Sequence, residues 1–262
     1  MLSENWWILG IGGLFSGLLA GLLGIGGGTV LVPLLITLNY SYAQAVATSS
    51  LAIVMTSISG TIQNWRMGYL NFEKVILLGV SGVLTAFWGA YLVGKTPRYI
   101  LEAAFGFLLL LNIYLTNLRQ KLVNQSPENQ LTKANPIIAR IGTGGAAGLL
   151  AGLFGVGGGV ILVPLQMLFL GERIKVAIQT SLGVIVITSV GACLGHFREG
   201  NVLFVEGIIL GIGGLIGVQF STRYLPKLPE RIVKFSFISF LIILSIYFFV
   251  KAFMNYKLVI SH

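Results

Sequence analysis

Long apolar runs dominate the chain, and polar residues collect between them instead of alternating within them. Eight runs cover residues 6–23, 43–63, 74–94, 99–117, 137–155, 175–196, 203–222 and 232–252. Each is close to the roughly 20 residues a helix needs to cross a hydrocarbon core about 30 Å thick. Continuous runs without period-two alternation predict helices, not barrel strands. Two shorter apolar pieces, 29–38 and 160–170, are too short to span and predict half-helices or re-entrant segments. The pattern predicts an all-α, polytopic transmembrane protein with about eight spans and two broken or re-entrant half-helices. One long polar stretch, Asn124 to Gln130, predicts an exposed linker. It divides the chain into a first transmembrane repeat at 1–123, a linker at 124–136 and a second repeat at 137–262.

The reason to speak of repeats is a motif that occurs twice. Gly17 to Pro33 reads GLLAGLLGIGGGTVLVP, and Gly148 to Pro164 reads GLLAGLFGVGGGVILVP, with 13 of 17 positions identical. The offset is 131 here and 132 further on. Thr48-Ser49 then aligns with Thr180-Ser181, Thr56-Ser57 with Thr188-Ser189, and Arg66 with Arg198. Gly68 aligns with Gly200, and Lys95 and Pro97 with Lys227 and Pro229. A duplicated membrane unit explains this register. Whether the halves are parallel or inverted depends on whether each crosses an even or an odd number of times, and the half-helices leave that open.

Composition agrees with the pattern. The chain is 55% hydrophobic and only 10% charged, with mean hydropathy +0.90, so it has too few polar side chains to cover a water-soluble globule. The net charge of +9 comes from Lys and Arg in short connections, which reads as helix-end anchors meeting the headgroups of membrane lipids. No basic cluster with interleaved aromatics points to nucleic acid. With eight spans, one side would carry nine Lys and Arg and the other eight, so orientation is not readable. Cys193 is the only cysteine, which excludes an internal disulfide. The N-terminal residues lack a basic n-region, and the first apolar run is expected to be a retained span, with Trp6 and Trp7 at its interface.

The glycines carry the candidate chemistry. Gly24-Ile25-Gly26-Gly27-Gly28 and Gly155-Val156-Gly157-Gly158-Gly159 each place four glycines in five residues inside apolar sequence. Glycine weakens a helix by about 1 kcal/mol relative to alanine, so each cluster predicts a break. The half-helix beyond it begins with free N–H groups of partial positive charge, which favour an anion. Close helix packing is the competing explanation, but it calls for spaced glycines. It suits the outer sets Gly13, Gly17, Gly21 and Gly144, Gly148, Gly152. The anion site is therefore expected at Gly26, Gly27, Gly28 and Thr29 with Gly157, Gly158 and Gly159. Thr48, Ser49, Thr180 and Ser181 add hydroxyl donors, although such residues also serve as helix glue. Asn64, Arg66, His196 and Arg198 near the ends of the second long helices are candidates for a vestibule, against an ordinary role as helix-end anchors and buried polar groups.

No nucleophile–base pair, zinc set or phosphate-binding loop is present, so no catalytic residues, metal or cofactor are expected. Gly142 to Ala147 formally fits G-x-G-x-x-A, but no strand precedes it. Glu102 and Glu206 lie near helix starts, so proton coupling through a deeply placed carboxylate is not expected.

The duplicated glycine motif, followed in each half by a Thr-Ser helix, resembles the TauE/SafE family, also called TSUP, of sulfite and organosulfur exporters. The resemblance runs over about residues 8 to 250. It implies a multi-pass plasma-membrane permease for small sulfur-containing anions such as sulfite, thiosulfate or sulfonates. Residue by residue it carries over only to Gly24–Gly28, Gly155–Gly159, Pro33 and Pro164. Thr29 stands against Val160, so the two half-sites differ chemically. A secondary transporter for a small anion is the leading expectation. An anion channel and a non-transport sensor or partner subunit are the alternatives, and a homo-oligomer is compatible with the sequence.

Overall fold

A computed structural model describes residues 6–125 and 136–260, apart from the side chains of 117–125, 136 and 258–260. Ten α-helices account for nearly all of it. The first half contains α1 (Trp6–Leu23), α2 (Gly28–Thr37), α3 (Tyr42–Arg66), α4 (Phe72–Val93) and α5 (Arg98–Gln125). The second contains α6 (Pro136–Phe154), α7 (Gly159–Phe169), α8 (Ile174–Arg198), α9 (Phe204–Tyr224) and α10 (Glu230–Ile260). Eight of them are long and apolar enough to cross a membrane, and α2 and α7 are the short ones. The element count of the apolar pattern holds, but α5 continues through Gln125 and α6 starts at Pro136. Only 126–135 of the expected linker therefore lies outside the described residues. Ser41 caps α3 in a reciprocal box with Gln44, and Asn71 caps α4 through Lys74.

Side-by-side contacts give each helix a direction. Gly13, Gly17 and Gly21 of α1 meet Leu210, Gly214 and Ser221 of α9, so these two are parallel. Gly207 and Gly211 of α9 meet Leu51 and Met55 of α3, so α3 runs the same way. Gly144, Gly148 and Gly152 of α6 meet Leu78, Gly82 and Ala86 of α4, and α4 follows α8 from Gly79–Ile187 to Gly195–Ala90. The central helices oppose each other, because Asn64 of α3 reaches Gln179 of α8 while Gly60 meets Leu182. Short connections then turn α5 against α4 and α10 against α9, and α5 and α10 pair antiparallel, Tyr99 on Tyr256 and Phe105 on Phe248. Thus α1, α3, α5 and α9 point one way, and α4, α6, α8 and α10 the other.

This order requires two further crossings. α1 and α3 are parallel and consecutive, so the chain must return between them. It does so through the glycine break and α2: Gly27 packs on Ser16 in the middle of α1, and Leu34 on Gly12 nearer its start. At 10 residues α2 covers about 15 Å. The glycine segment covers the rest, since Gly24 follows the end of α1 and Gly27 already packs on Ser16. Residues 24–38 are thus one discontinuous span, and Gly155 to Leu170 form its counterpart, with Gly158 packed on Ala147 of α6. Each half thus runs through the bundle five times, and helices at equivalent sequence positions run in opposite directions.

The outer surface is apolar, with Leu84, Phe235 and Ile243 more than 60% exposed, as a lipid-facing wall demands. Inside, the outer glycines do form seams. A Cβ at Gly148 would collide with the Gly82 backbone, whereas Gly142 on the same helix faces open space. Gly148→Ala is expected to lower stability by about 1–3 kcal/mol through overpacking. Gly142→Ala is expected to be neutral or to stabilise by up to about 1 kcal/mol. Thermal unfolding of the two detergent-solubilised variants distinguishes them.

Candidate functional site

The two glycine breaks meet at the centre of the bundle. A Cβ at Gly28 would collide with the Gly155 carbonyl and come within 2.7 Å of Val156 Cα. At Gly159 it would collide with the Gly24 carbonyl and come within 2.8 Å of Ile25 Cα. Gly24, Gly26 and Gly27 have φ of 68°, 75° and 82°, and Gly155, Gly157 and Gly158 have 62°, 69° and 78°. Only glycine adopts such values without strain, so the residue type is required by backbone shape as well as by space. Ile53 of α3 and Ile185 of α8, both fully buried, flank Gly26 and Gly157. All residues from Gly24 to Thr29 and from Gly155 to Val160 are buried.

Opening a helix in an apolar interior frees backbone groups that must find partners. Four of the carbonyls have side-chain donors. Ser49 Oγ donates to the Gly155 oxygen at 2.9 Å, and Ser181 Oγ to the Gly24 oxygen at 2.9 Å. Ser16 Oγ donates to Gly27 at 2.9 Å and Thr188 Oγ1 to Gly157 at 3.0 Å. The N–H groups differ. Among the described residues, those of Ile25 to Thr29 and of Val156 to Gly158 donate to no acceptor, and neither half-helix has a capping side chain. Buried N–H groups without partners are rare in proteins. Successive N–H groups in a turn-like backbone form a concavity suited to an anion, here next to half-helix N-termini. Thr29, the second residue of α2, is fully buried, and its hydroxyl also lacks a partner.

The expected site residues separate into groups. Gly26, Gly27, Gly28, Thr29, Gly157, Gly158 and Gly159 come together. Ser49 and Ser181 border them, but their hydroxyls are committed to carbonyls of the opposite break. Thr48 lies away from the breaks, where its Oγ1 accepts the Leu203 N–H at 3.2 Å at the start of α9. Thr180 is buried one residue before Ser181.

The expected vestibule is not a single place. α3 and α8 are antiparallel, so Asn64 and Arg66 lie at one end of the bundle and His196 and Arg198 at the other. Arg66 is exposed. Asn64 is buried, its Nδ2 donating to the Gln179 carbonyl at 3.4 Å. His196 is buried with Nε2 donating to the Gly152 carbonyl at 2.9 Å and Nδ1 unpartnered. Arg198 stacks 5.1 Å over the Phe87 ring, in a cleft of about 350 Å³ shared with Trp88, Tyr91 and Glu199.

Three features escaped the sequence reading. Glu102 was placed near a helix start, yet it has no solvent exposure and binds Arg98 Nε at 2.9 Å and Asn255. The other two are ties between the halves at opposite ends: Tyr40 OH with Glu206 at 3.3 Å, and Lys74 with Glu172. Position 40 aligns with 172 and 74 with 206, so the two ties are equivalent, and the alignment offset was the signal that could have found them. Among the described residues no group of three His, Cys, Asp or Glu is placed to hold a metal.

The reciprocal serines test the cross-bracing. Ser49→Ala and Ser181→Ala each leave a buried carbonyl without its donor and are expected to cost about 1–3 kcal/mol. Ser57→Ala removes a hydroxyl that bonds only its own preceding turn, at Ile53 and Val54, and should cost less. Thermal unfolding in detergent reads the difference.

Comparison with known proteins gives the geometry a context. The chain is 30% identical over 261 residues to a "probable membrane transporter protein" of Haemophilus influenzae, covering 91% of this chain and 96% of that one. It is 29% identical to a counterpart in Methanocaldococcus jannaschii over 79% and 76% of the two chains. It is 25% identical to YdhB of Bacillus subtilis over 83% and 89%. No solved structure matches it. The family model described as "Sulfite exporter TauE/SafE" matches residues 9–248, and this multi-pass plasma-membrane protein, a transporter and not an enzyme, belongs to that family.

Proposed function

We propose that the protein is a secondary transporter for a small anion, and that the cargo is sulfite, thiosulfate or an organosulfonate. The observation that carries this reading is the set of buried, unbonded N–H groups at the meeting glycine breaks. Backbone donors fit an oxyanion without needing a positive side chain, and an anion there would supply the missing acceptors. The family description supports a sulfur oxyanion among the small anions.

Alternating access suits the geometry better than an open pore. Ile53 and Ile185 pack directly against the breaks, and the Tyr40–Glu206 and Lys74–Glu172 ties bridge the halves at the two ends. Halves running in opposite directions supply two equivalent openings, one toward each side. A solute at the breaks is reached when one set of contacts loosens while the other holds.

Thr29→Val tests the site without disturbing the fold. It removes a hydroxyl that bonds nothing, and valine already occupies the aligned position, Val160. Stability should be equal or slightly higher, because an unsatisfied buried polar group is removed. Affinity for sulfite or thiosulfate, measured by calorimetry on purified protein, should fall about 10- to 100-fold, as for a hydrogen bond to a charged group. Unchanged affinity for every sulfur oxyanion bound by the parent would remove the breaks as the site. In proteoliposomes, flux of labelled sulfite that saturates and is accelerated by unlabelled sulfite on the far side separates a transporter from a channel. No flux at all would favour a sensor or partner subunit.

A further inference from the structure

The helix directions sort the basic residues in a way that eight spans do not. One face of the bundle holds the starts of α1, α3, α5 and α9 and the ends of α4, α6, α8 and α10. Its Lys and Arg residues are Lys95, Arg98, Arg198, Lys251 and Lys257. The opposite face holds the ends of α3, α5 and α9 and the starts of α4, α6, α8 and α10. All the other Lys and Arg of the chain, 12 of 17, belong to helix ends or connections there. Nine of those lie among residues with described side chains, including Arg66, Lys74, Arg140, Lys175, Arg223 and Lys227. The remaining three fall between Thr116 and Pro136, on the sequence joining two ends that both reach this face.

The two discontinuous spans create this imbalance. Counting only the eight long helices alternates the connections and cancels the charges at nine against eight. Adding a crossing in each half brings the connections 170–173 and 225–229 to the face that the linker and 67–71 already share, and takes Arg198, Lys251 and Lys257 away from it. Every one is short, the regime in which Lys and Arg bias decides insertion.

We propose that the linker face is the cytoplasmic face, with its basic belt set against the anionic headgroups of the inner leaflet and both chain termini outside. Each basic residue near such a surface favours that placement by about 1 kcal/mol, so the excess is ample to decide between orientations. The partner recognised is the phosphate-bearing surface of an anionic leaflet, met by helix-end side chains whose apolar stems lie along the bundle. The inference is independent of the cargo. It identifies the Lys74–Glu172 tie as the inner one and the Tyr40–Glu206 tie as the outer one.

Two reporters test the sidedness. In a Cys193→Ala background, Tyr69→Cys lies between α3 and α4 on the linker face, and Thr96→Cys lies between α4 and α5 on the other. A membrane-impermeant maleimide added to intact spheroplasts should label Thr96→Cys and leave Tyr69→Cys unlabelled, and inside-out vesicles should reverse the result. The opposite pattern, or equal labelling of both sites in both preparations, overturns the proposal. If neither cysteine reacts, C-terminal fusions decide. Alkaline phosphatase, active only outside, should be active, and green fluorescent protein, fluorescent only when folded inside, should be dark. A fluorescent fusion with silent phosphatase overturns the proposal even if anion transport is intact.

Discussion

The architecture depends on how a backbone opened inside an apolar bundle is satisfied. Two helices are interrupted at the centre, and each interruption exposes carbonyls and N–H groups that lipid and apolar side chains cannot bond. The carbonyls are bonded across the molecule, Ser49 of α3 to the break before α7 and Ser181 of α8 to the break before α2. Each half completes the other's broken span. The halves are therefore interlocked, and α1 lies against α9, a helix of the opposite half, along a seam of glycines. The N–H groups are left without acceptors among the described residues, which is the opening that the proposed anion would fill. A site made of backbone donors would need no buried Lys or Arg beside such a cargo.

Much of this was legible in the sequence because the signals were local. Helix existence follows from the length of the apolar runs, and the breaks follow from consecutive glycines that no helix tolerates. The spaced glycines pack, as Gly148 does on the Gly82 backbone, and the clustered ones interrupt helices, although Gly28 also packs closely, against the Gly155 carbonyl. The misreadings concern direction. Arg66 and Arg198 align in sequence, and alignment suggests a shared vestibule. The extra half-crossing at each break places them at opposite ends. The same half-crossing hid the charge asymmetry, because a 10-residue helix after a glycine break does not register as a span. Glu102 does sit near a helix start, but its burial was not legible, because Asn255, which bonds it, is far away in sequence.

Where the halves differ is as informative as where they match. Their aligned glycines at the breaks agree closely in φ, 68°, 75° and 82° against 62°, 69° and 78°. Their side chains do not agree there: Thr29 faces Val160, and Ser16, which bonds the Gly27 carbonyl, faces Ala147. At the ends, a hydroxyl–carboxylate bond at Tyr40–Glu206 answers an ion pair at Lys74–Glu172. Deeper still, Arg98 and Glu102 align with Glu230 and Lys234, a reversal of sign at equivalent positions. Backbone equivalence gives two openings of the same shape. Side-chain difference makes their energies unequal, since an ion pair and a neutral hydroxyl bond respond differently to burial and to salt. A perfectly symmetric molecule would favour neither side. This chain keeps the symmetry in the backbone, where the proposed cargo would bind, and differs in side chains both there and in the contacts that would hold each end closed. A preference for one direction of opening then requires no difference at the binding site itself.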